Sequence, residues 1–402
     1  MKKKIIIIIL IIISLIPLFY FGYKKYQEYM EEQRIKNAKI VVNIKEDLKF
    51  TYDTKLKISD LIEYINGDII HDSYLDTASL GKKTVNFKYV NEENITVPYS
   101  ITYEVVDDVA PIIWLNDTYS VKVGTKGELK DMIMSGDYLD DNPTREIIGE
   151  YNINKIGSYS LTYRITDKSG NVTTKDFTLK VNNDSSSYNP KKKNYADIKK
   201  QYAGDNTYFG LDVSKWQGRI NYEKVASAGV DFVMIKLGGT SGIGGDYYVD
   251  PKFKENIEGF LEQGIQVGVY FYSYANSIEK AKQDAEWVIN QIKDYQVTLP
   301  IAFDWENWSS FNKFGIGFKT LSLCADSFIK TVEKNGYHGV LYSSKNYLEK
   351  IWDTMDHDVW LAHYTDKTDY EGEYIMWQLT SGGVIPGITD NTVDVDILYR
   401  NN

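Results

Sequence analysis

Hydrophobic and polar positions change rhythm three times along the 402 residues of this chain. A predominantly apolar run at 5–23 lies between Lys2, Lys3 and Lys4 on one side and Lys24 and Lys25 on the other. A helix over it, rising about 1.5 Å per residue, reaches about 28 Å and is long enough to cross a bilayer. A cleavable leader needs a shorter apolar core and a small-residue cleavage site. The sequence offers no such site, so an uncleaved membrane anchor is expected. Lysines on both flanks leave its orientation undecided by charge alone. A charged helical stalk follows at 26–37, with Glu28, Glu31, Glu32 and Arg34.

The period then shortens to two. Gly81 leads into Thr84-Val85-Asn86-Phe87-Lys88-Tyr89-Val90, and a second alternating run follows from Tyr99 to Val105. Gly157 leads in the same way into Ser160-Leu161-Thr162-Tyr163-Arg164-Ile165-Thr166, and a second run follows from Phe177 to Val181. Each pattern predicts a hairpin with an aromatic six residues after the glycine. A spacing of about 75 residues is a repeat of domains, longer than a solenoid period. Residues 183–207, with their serine and lysine runs, predict a solvated linker.

From residue 208 the texture becomes strand–helix alternation. Strands are predicted at 209–214, 231–237, 266–274, 299–305, 339–343, 359–364, 374–379 and 392–398. Helical periodicity falls at 221–228, 251–263, 277–293 and 318–334. The late strands follow one another with little helix between them, which predicts a compact α/β barrel lacking its last helices. The domains expected are 1–37 (head, anchor and stalk), 38–107 and 108–182 (β-rich), 183–207 (linker) and 208–402 (barrel).

Composition narrows the function. A net charge of −10 argues against a nucleic-acid partner. One cysteine, Cys324, excludes an internal disulfide. The four histidines show no metal-ligand spacing, so neither a metal nor a cofactor is expected. Tyrosine (33) and tryptophan (8) are abundant, and aromatic faces suit sugar clefts as well as β-sheet cores.

Candidate chemistry sits where strands end. Leu299-Pro300-Ile301-Ala302-Phe303 runs into Asp304-Trp305-Glu306. Residues i and i+2 of a strand share a face, so the two carboxyls project together and Trp305 projects the other way, into packing. Two acids in a partly dry cleft do not both ionise easily, and one pKa rises. Glycoside hydrolysis needs that division, a protonated acid beside a carboxylate. A solvated strand end is the plainer alternative. Acids recur, however, at Asp212 on the first strand and at Asp394 and Asp396 on the last, strands that barrel closure brings together.

Several motifs appear in order: Asp212-Val213-Ser214-Lys215-Trp216-Gln217-Gly218, the strand bearing Lys236, Gly268-Val269-Tyr270-Phe271-Tyr272, Asp304-Trp305-Glu306, and Trp377-Gln378 followed by Val393-Asp394. Residues 209–399 thereby resemble glycoside hydrolase family 25, the lysozyme family. The resemblance implies a (β/α)5(β)3 TIM-like barrel that cleaves the β-1,4 bond between N-acetylmuramic acid and N-acetylglucosamine in peptidoglycan. It implies Glu306 as general acid, with Asp304 stabilising developing charge or orienting the substrate 2-acetamido group. Asp212 and Asp394 match the remaining active-site acids. Tyr270, Tyr272, Trp377 and Lys236 are the implied substrate contacts. The family's usual histidine after the third-strand tyrosine is Phe271 here, which puts one subsite contact in question.

The segment 108–182 resembles bacterial immunoglobulin-like modules, through Ala110-Pro111-Ile112-Ile113 and the closing Asp167-Lys168-Ser169-Gly170-Asn171; 38–107 is a looser copy. Immunoglobulin-like sandwiches acting as spacers are therefore expected. The whole reads as a single-pass membrane protein with its C-terminal domains outside the cell and peptidoglycan as partner. A catalytically silent wall-binding or envelope-assembly scaffold, and a hydrolase of another glycan, stand as alternatives.

Overall fold

The computed structural model describes residues 21–183, 189–306, 311–353 and 356–400. Most of the apolar run at 5–23 lies outside them. Among the described residues, no helix is long and apolar enough to cross a membrane. Two units are distinguished, Met1–Val109 and Ala110–Asn402.

In the first unit, residues 21–36 are helical and exposed. The predicted hairpin is formed by antiparallel strands Gly81–Asn91 and Thr96–Val106. Their inward positions, among them Phe87, Tyr89, Ile101, Tyr103 and Val105, bury against Ile58 and Leu61. Strands Gly67–Ile69 and Lys49–Thr51 complete this sheet, and Val42–Ile44 pairs separately with Ile62–Ile65.

The second unit opens with a similar arrangement. Strands Gly157–Thr166 and Val172–Asn182 pair in register. Their turn is made by Asp167, whose carboxylate accepts from the Asn171 backbone N–H and side-chain amide, both at 2.8 Å. Thr144–Ile148 and Thr118–Lys122 flank the hairpin, and Ile112–Ile113 pairs with Ser135–Gly136.

The expectation of immunoglobulin-like sandwiches is corrected here. Among the described residues each module holds one four-stranded and one two-stranded sheet, and the larger sheet carries a parallel edge pair. That differs from the seven strands in two facing antiparallel sheets of the immunoglobulin fold. Hairpins of the same spacing serve both architectures, so the alternation alone does not distinguish them.

Among the described residues, eight strands close the barrel: β1 (Thr207–Val213), β2 (Phe232–Thr240), β3 (Gln266–Tyr272), β4 (Ile301–Asp304), β5 (Gly339–Ser344), β6 (Val359–Ala362), β7 (Met376–Val384) and β8 (Val393–Tyr399). Inward residues such as Met234, Ala302, Val340, Trp360 and Met376 fill the interior. Outward ones such as Ile235, Val269 and Phe303 pack beneath the helices. Helix α1 (Tyr195–Tyr202) precedes β1, and α2 (Tyr222–Ser227), α3 (Phe253–Glu262), α4 (Ile278–Ile292), α5 (Phe318–Lys334) and the single turn α6 (Lys345–Leu348) follow β1 to β5 in order. Ser277 caps α4, accepting from the Lys280 N–H, and Ala281, Ala285, Val288 and Ile292 form its buried stripe.

The expected (β/α)5(β)3 TIM-like barrel is also corrected. The barrel is mixed: β8 runs antiparallel to both β7 and β1. An antiparallel return needs only a short loop, here 385–392, where a parallel one needs a crossover. Among the described residues no helix follows β6 or β7, so helices cover only part of the outside.

Part of the predicted linker is structured as well. Lys193–Asn194 pairs with Gly383 and Val384 at the end of β7. Lys193 bonds Asp366 at 2.6 Å, the Asn194 side chain caps α1, and Tyr195 is buried with its hydroxyl donating to the Phe209 carbonyl at 3.1 Å.

Candidate active site

Strand register gathers the acids. Asp212 on β1 stands directly across the antiparallel pair from Asp394 on β8. Asp304 at the end of β4 is flanked by Tyr272 of β3 and Tyr342 of β5. Like charges facing each other across a sheet are destabilising, so folding alone gives no reason for Asp212 to face Asp394. Asp212, Lys236, Tyr270, Tyr272, Asp304, Glu306 and Asp394 line one cavity of about 460 Å³ at the C-terminal ends of the parallel strands. Seven of the eight residues expected at the site are therefore brought together.

The eighth, Trp377, is not. Its ring is 4% exposed, packs edge-on against Tyr202 at 5.7 Å and donates Nε1–H to the His363 carbonyl at 2.9 Å. Alternation on β7 turns Trp377 outward and its neighbour Gln378 inward. Phe271 likewise faces outward, against Trp287 and Phe328. The departure from the family pattern at this position thus falls in the outer core rather than on a subsite.

Hydrogen bonds hold the acids in place. Gln378 Nε2 donates to Asp212 Oδ2 at 3.2 Å, while Gln378 Oε1 accepts from the hydroxyls of Tyr342 at 2.8 Å and Tyr364 at 3.0 Å. Two donors on the amide oxygen orient the amide so that its N–H2 faces the carboxylate. Tyr270 also hydrogen-bonds Asp212. Below them, Trp360 donates Nε1–H to Asp396 Oδ1 at 2.9 Å, and Asp396 is wholly buried outside the cavity lining. The Lys236 ammonium lies 4.5 Å from the centre of the Tyr272 ring and 5.8 Å from that of Tyr270.

Burial raises the carboxyl pKa values. Desolvation pushes Asp212 up to about 7, against the opposing pull of the Tyr270 hydrogen bond and Lys236. It raises Glu306, with Asp304 and Lys236 opposing. Asp304 is held well above the usual carboxylate range by desolvation and then by the Glu306 charge, and Asp394 by desolvation and then by Asp212 and Glu306. Burial thus favours the protonated form of each of these carboxyls, the form a general acid requires. Asp304 is 2% exposed, whereas Glu306 is more open and also lines an adjoining cavity of about 370 Å³ with Tyr342, Tyr347, Lys345, His363 and Tyr364. Glu306 is therefore the more accessible of the two carboxyls.

The cavity contains residues that the sequence left unassigned. Trp216, 67% exposed, stands at its rim with Asn391 and Pro190. Its loop is fixed by Gln217, which accepts from the Ser214 N–H at 2.8 Å and donates to the Thr392 carbonyl at 3.2 Å. Trp216 and Gln378 both belong to the ordered motifs, whereas Trp360, Tyr342 and Tyr364 carried no separable signal on apolar strands.

Residues 211–388 match the sequence model of glycosyl hydrolases family 25. This region is similar to that family. The autolytic lysozyme of Clostridium acetobutylicum is 26% identical over 190 residues, covering 46% of this chain and 54% of that protein. Lysozyme M1 of Streptomyces globisporus is 27% identical over 201 residues, covering 46% of this chain and 65% of that protein. The chain thus spans about half the length of the first and two thirds of the second. The modular autolysin LytC from Streptococcus pneumoniae, solved with a synthetic peptidoglycan ligand, is 28% identical; the match covers 59% of this chain and 56% of that one, with a TM-score of 0.44. The matched region contains Asp212, Lys236, Tyr270, Tyr272, Asp304 and Glu306; Asp394 lies six residues beyond it, on the closing strand.

Proposed function

We propose that this protein is a cell-wall lysozyme that hydrolyses the β-1,4 bond between N-acetylmuramic acid and N-acetylglucosamine in peptidoglycan. The observation that carries this reading is the meeting of Asp304 and Glu306 with Asp212 and Asp394 in one cavity of a region similar to family 25. Glu306 gives its proton to the glycosidic oxygen as the bond to the anomeric carbon breaks. Asp304 stabilises the positive charge that develops there or orients the substrate 2-acetamido group toward that carbon, and water completes hydrolysis. Asp212 and Asp394 tune the pair and bind the sugar, with Tyr270, Tyr272 and Lys236 as further contacts. The apolar, lysine-flanked run at 5–23 supports placement at the cell membrane, with the C-terminal domains outside, where the wall lies.

The test is mass spectrometry of products from purified wall, which reads activity, bond and anomeric outcome together. New reducing-end N-acetylmuramic acid is expected. Glu306→Gln, folded as the parent, should lose about 10²- to 10⁴-fold in kcat, the usual contribution of a general acid. Binding of wall without any released fragment would instead indicate a silent scaffold.

A further inference from the structure

The upstream β module, 110–182, does more than precede the barrel. The segment after Glu306 leads into α5, whose N-cap is Gly317, a residue with no side chain to cap the helix. Its first N–H groups are satisfied by the module. Gly317 N donates to Asp141 Oδ1 at 2.7 Å, Phe318 N to the Asp137 carbonyl at 2.9 Å and Lys319 N to the Tyr138 carbonyl at 3.0 Å. Just upstream of α5, the Asn312 amide donates to the Ile133 carbonyl at 2.9 Å. Gly136 lies so close that a Cβ there would stand 2.6 Å from the Phe311 ring and 2.7 Å from that of Phe318.

A second set of contacts reaches the substrate cavity. Trp114 packs edge-on against Tyr347 with centroids 5.3 Å apart, and the Tyr347 hydroxyl donates to Met134 Sδ at 3.0 Å. The Trp114 N–H bonds the Met134 carbonyl at 2.8 Å, which ties the two supports together. On its other side Tyr347 packs against Trp305 at 5.8 Å and lines the smaller cavity beside Glu306.

Glu306 borders both cavities, whereas Asp304, Asp212 and Asp394 border only the larger one. A general acid sits at the oxygen joining the two sugars, and the carboxylates that stabilise developing charge sit beside the sugar that carries it. The larger cavity therefore takes that sugar, and the smaller takes the departing part of the strand. Resting on the lysozyme reading, we infer that Trp114 and Met134 are positioning residues for the leaving-group half of the groove. They act by holding Tyr347, so the β module belongs to the catalytic unit and is not a passive spacer.

The test uses the full chain carrying Trp114→Ala or Met134→Leu, the latter keeping the volume while removing the sulfur acceptor. Rates are measured on solubilised glycan strands and on an aryl glycoside whose leaving group carries no sugar. On strands, kcat/KM is expected to fall about tenfold for Trp114→Ala and about threefold for Met134→Leu, mainly through KM, with less than about twofold change on the aryl glycoside. Trp114→Phe should restore most of the loss. Equal losses on both substrates, or none on strands, overturn the inference. If Trp114→Ala loses its cooperative melt, Met134→Leu alone decides. A parent chain that cleaves neither substrate refutes the lysozyme reading instead. The inference is then decided by calorimetric Kd for the strands, which weakens in the variant if it holds and is unchanged if it does not.

Discussion

Asp212, Asp304, Glu306, Asp394 and Asp396 all have carboxyl pKa values raised by burial, and Lys236 is the ammonium that opposes this for Asp212, Asp304 and Glu306. Such a cluster lowers stability as pH rises. Asp212 moves from an ordinary 3.8 to about 7 on folding, so between those values the folded state holds a proton that the unfolded chain has released. Stability is then full below the lower value and falls through the window. Asp212→Asn should remove that slope: its melting temperature relative to the parent is expected to be higher at pH 8 than at pH 5 in paired scanning calorimetry. A constant offset at both values would refute the shift. Which carboxyls share the cavity was legible from spacing and motif order. Their division into Glu306 as acid and Asp304 as its assistant came only through the family resemblance; the structure adds that Asp304 is the more closely buried and that, of the four cavity acids, Glu306 alone lines the second cavity.

At the scale of elements, the Gln217 side chain ties the loop after β1 to the loop before β8, alongside bonds from the Arg219 N–H to Asp390 and from the Asn221 N–H to the Gly387 carbonyl. Gln217→Ala leaves the Ser214 N–H and the Thr392 carbonyl without this partner, a loss of about 1–3 kcal/mol for buried groups. It also frees Trp216 at the cavity rim. A lowered melting temperature with a raised KM for glycan strands is expected, while kcat is little changed because Asp304 and Glu306 stand at the end of β4, away from both loops. A fall in kcat alone would show that the loop acts on chemistry rather than on binding. Alternation read along β4 and β8 gave the right faces. On β7 the family resemblance, rather than alternation, put Trp377 among the substrate contacts, whereas the structure turns it outward and brings the Gln378 amide to Asp212. A tryptophan at a strand end suits a sugar face and a packed outer layer equally well, and only closure of the barrel chooses between them.

At the scale of the molecule, the catalytic unit begins well before the barrel strands. Tyr195 and Ile198 of α1 are buried on the barrel, and the module at 110–182 caps α5. A chain begun at residue 208 loses both. Burial of each such apolar side chain contributes about 1.5–3 kcal/mol, so this chain should melt well below one begun at residue 110. Calorimetry of the two truncations checks this, and equal melting temperatures would return 183–207 to the status of a linker. The sequence by itself determined the local facts: hairpins from period-2 alternation, helices from their apolar periodicity, and acids at strand ends. These depend on neighbours within a few residues. Tertiary structure decided the antiparallel closure by β8, the turning of Trp377 into the outer layer, the supply of a helix cap by a distant module and the spread of raised carboxyl pKa values beyond the Asp304–Glu306 pair. Each of these depends on groups far apart in the chain and on the exclusion of water between them, which a one-dimensional pattern does not record.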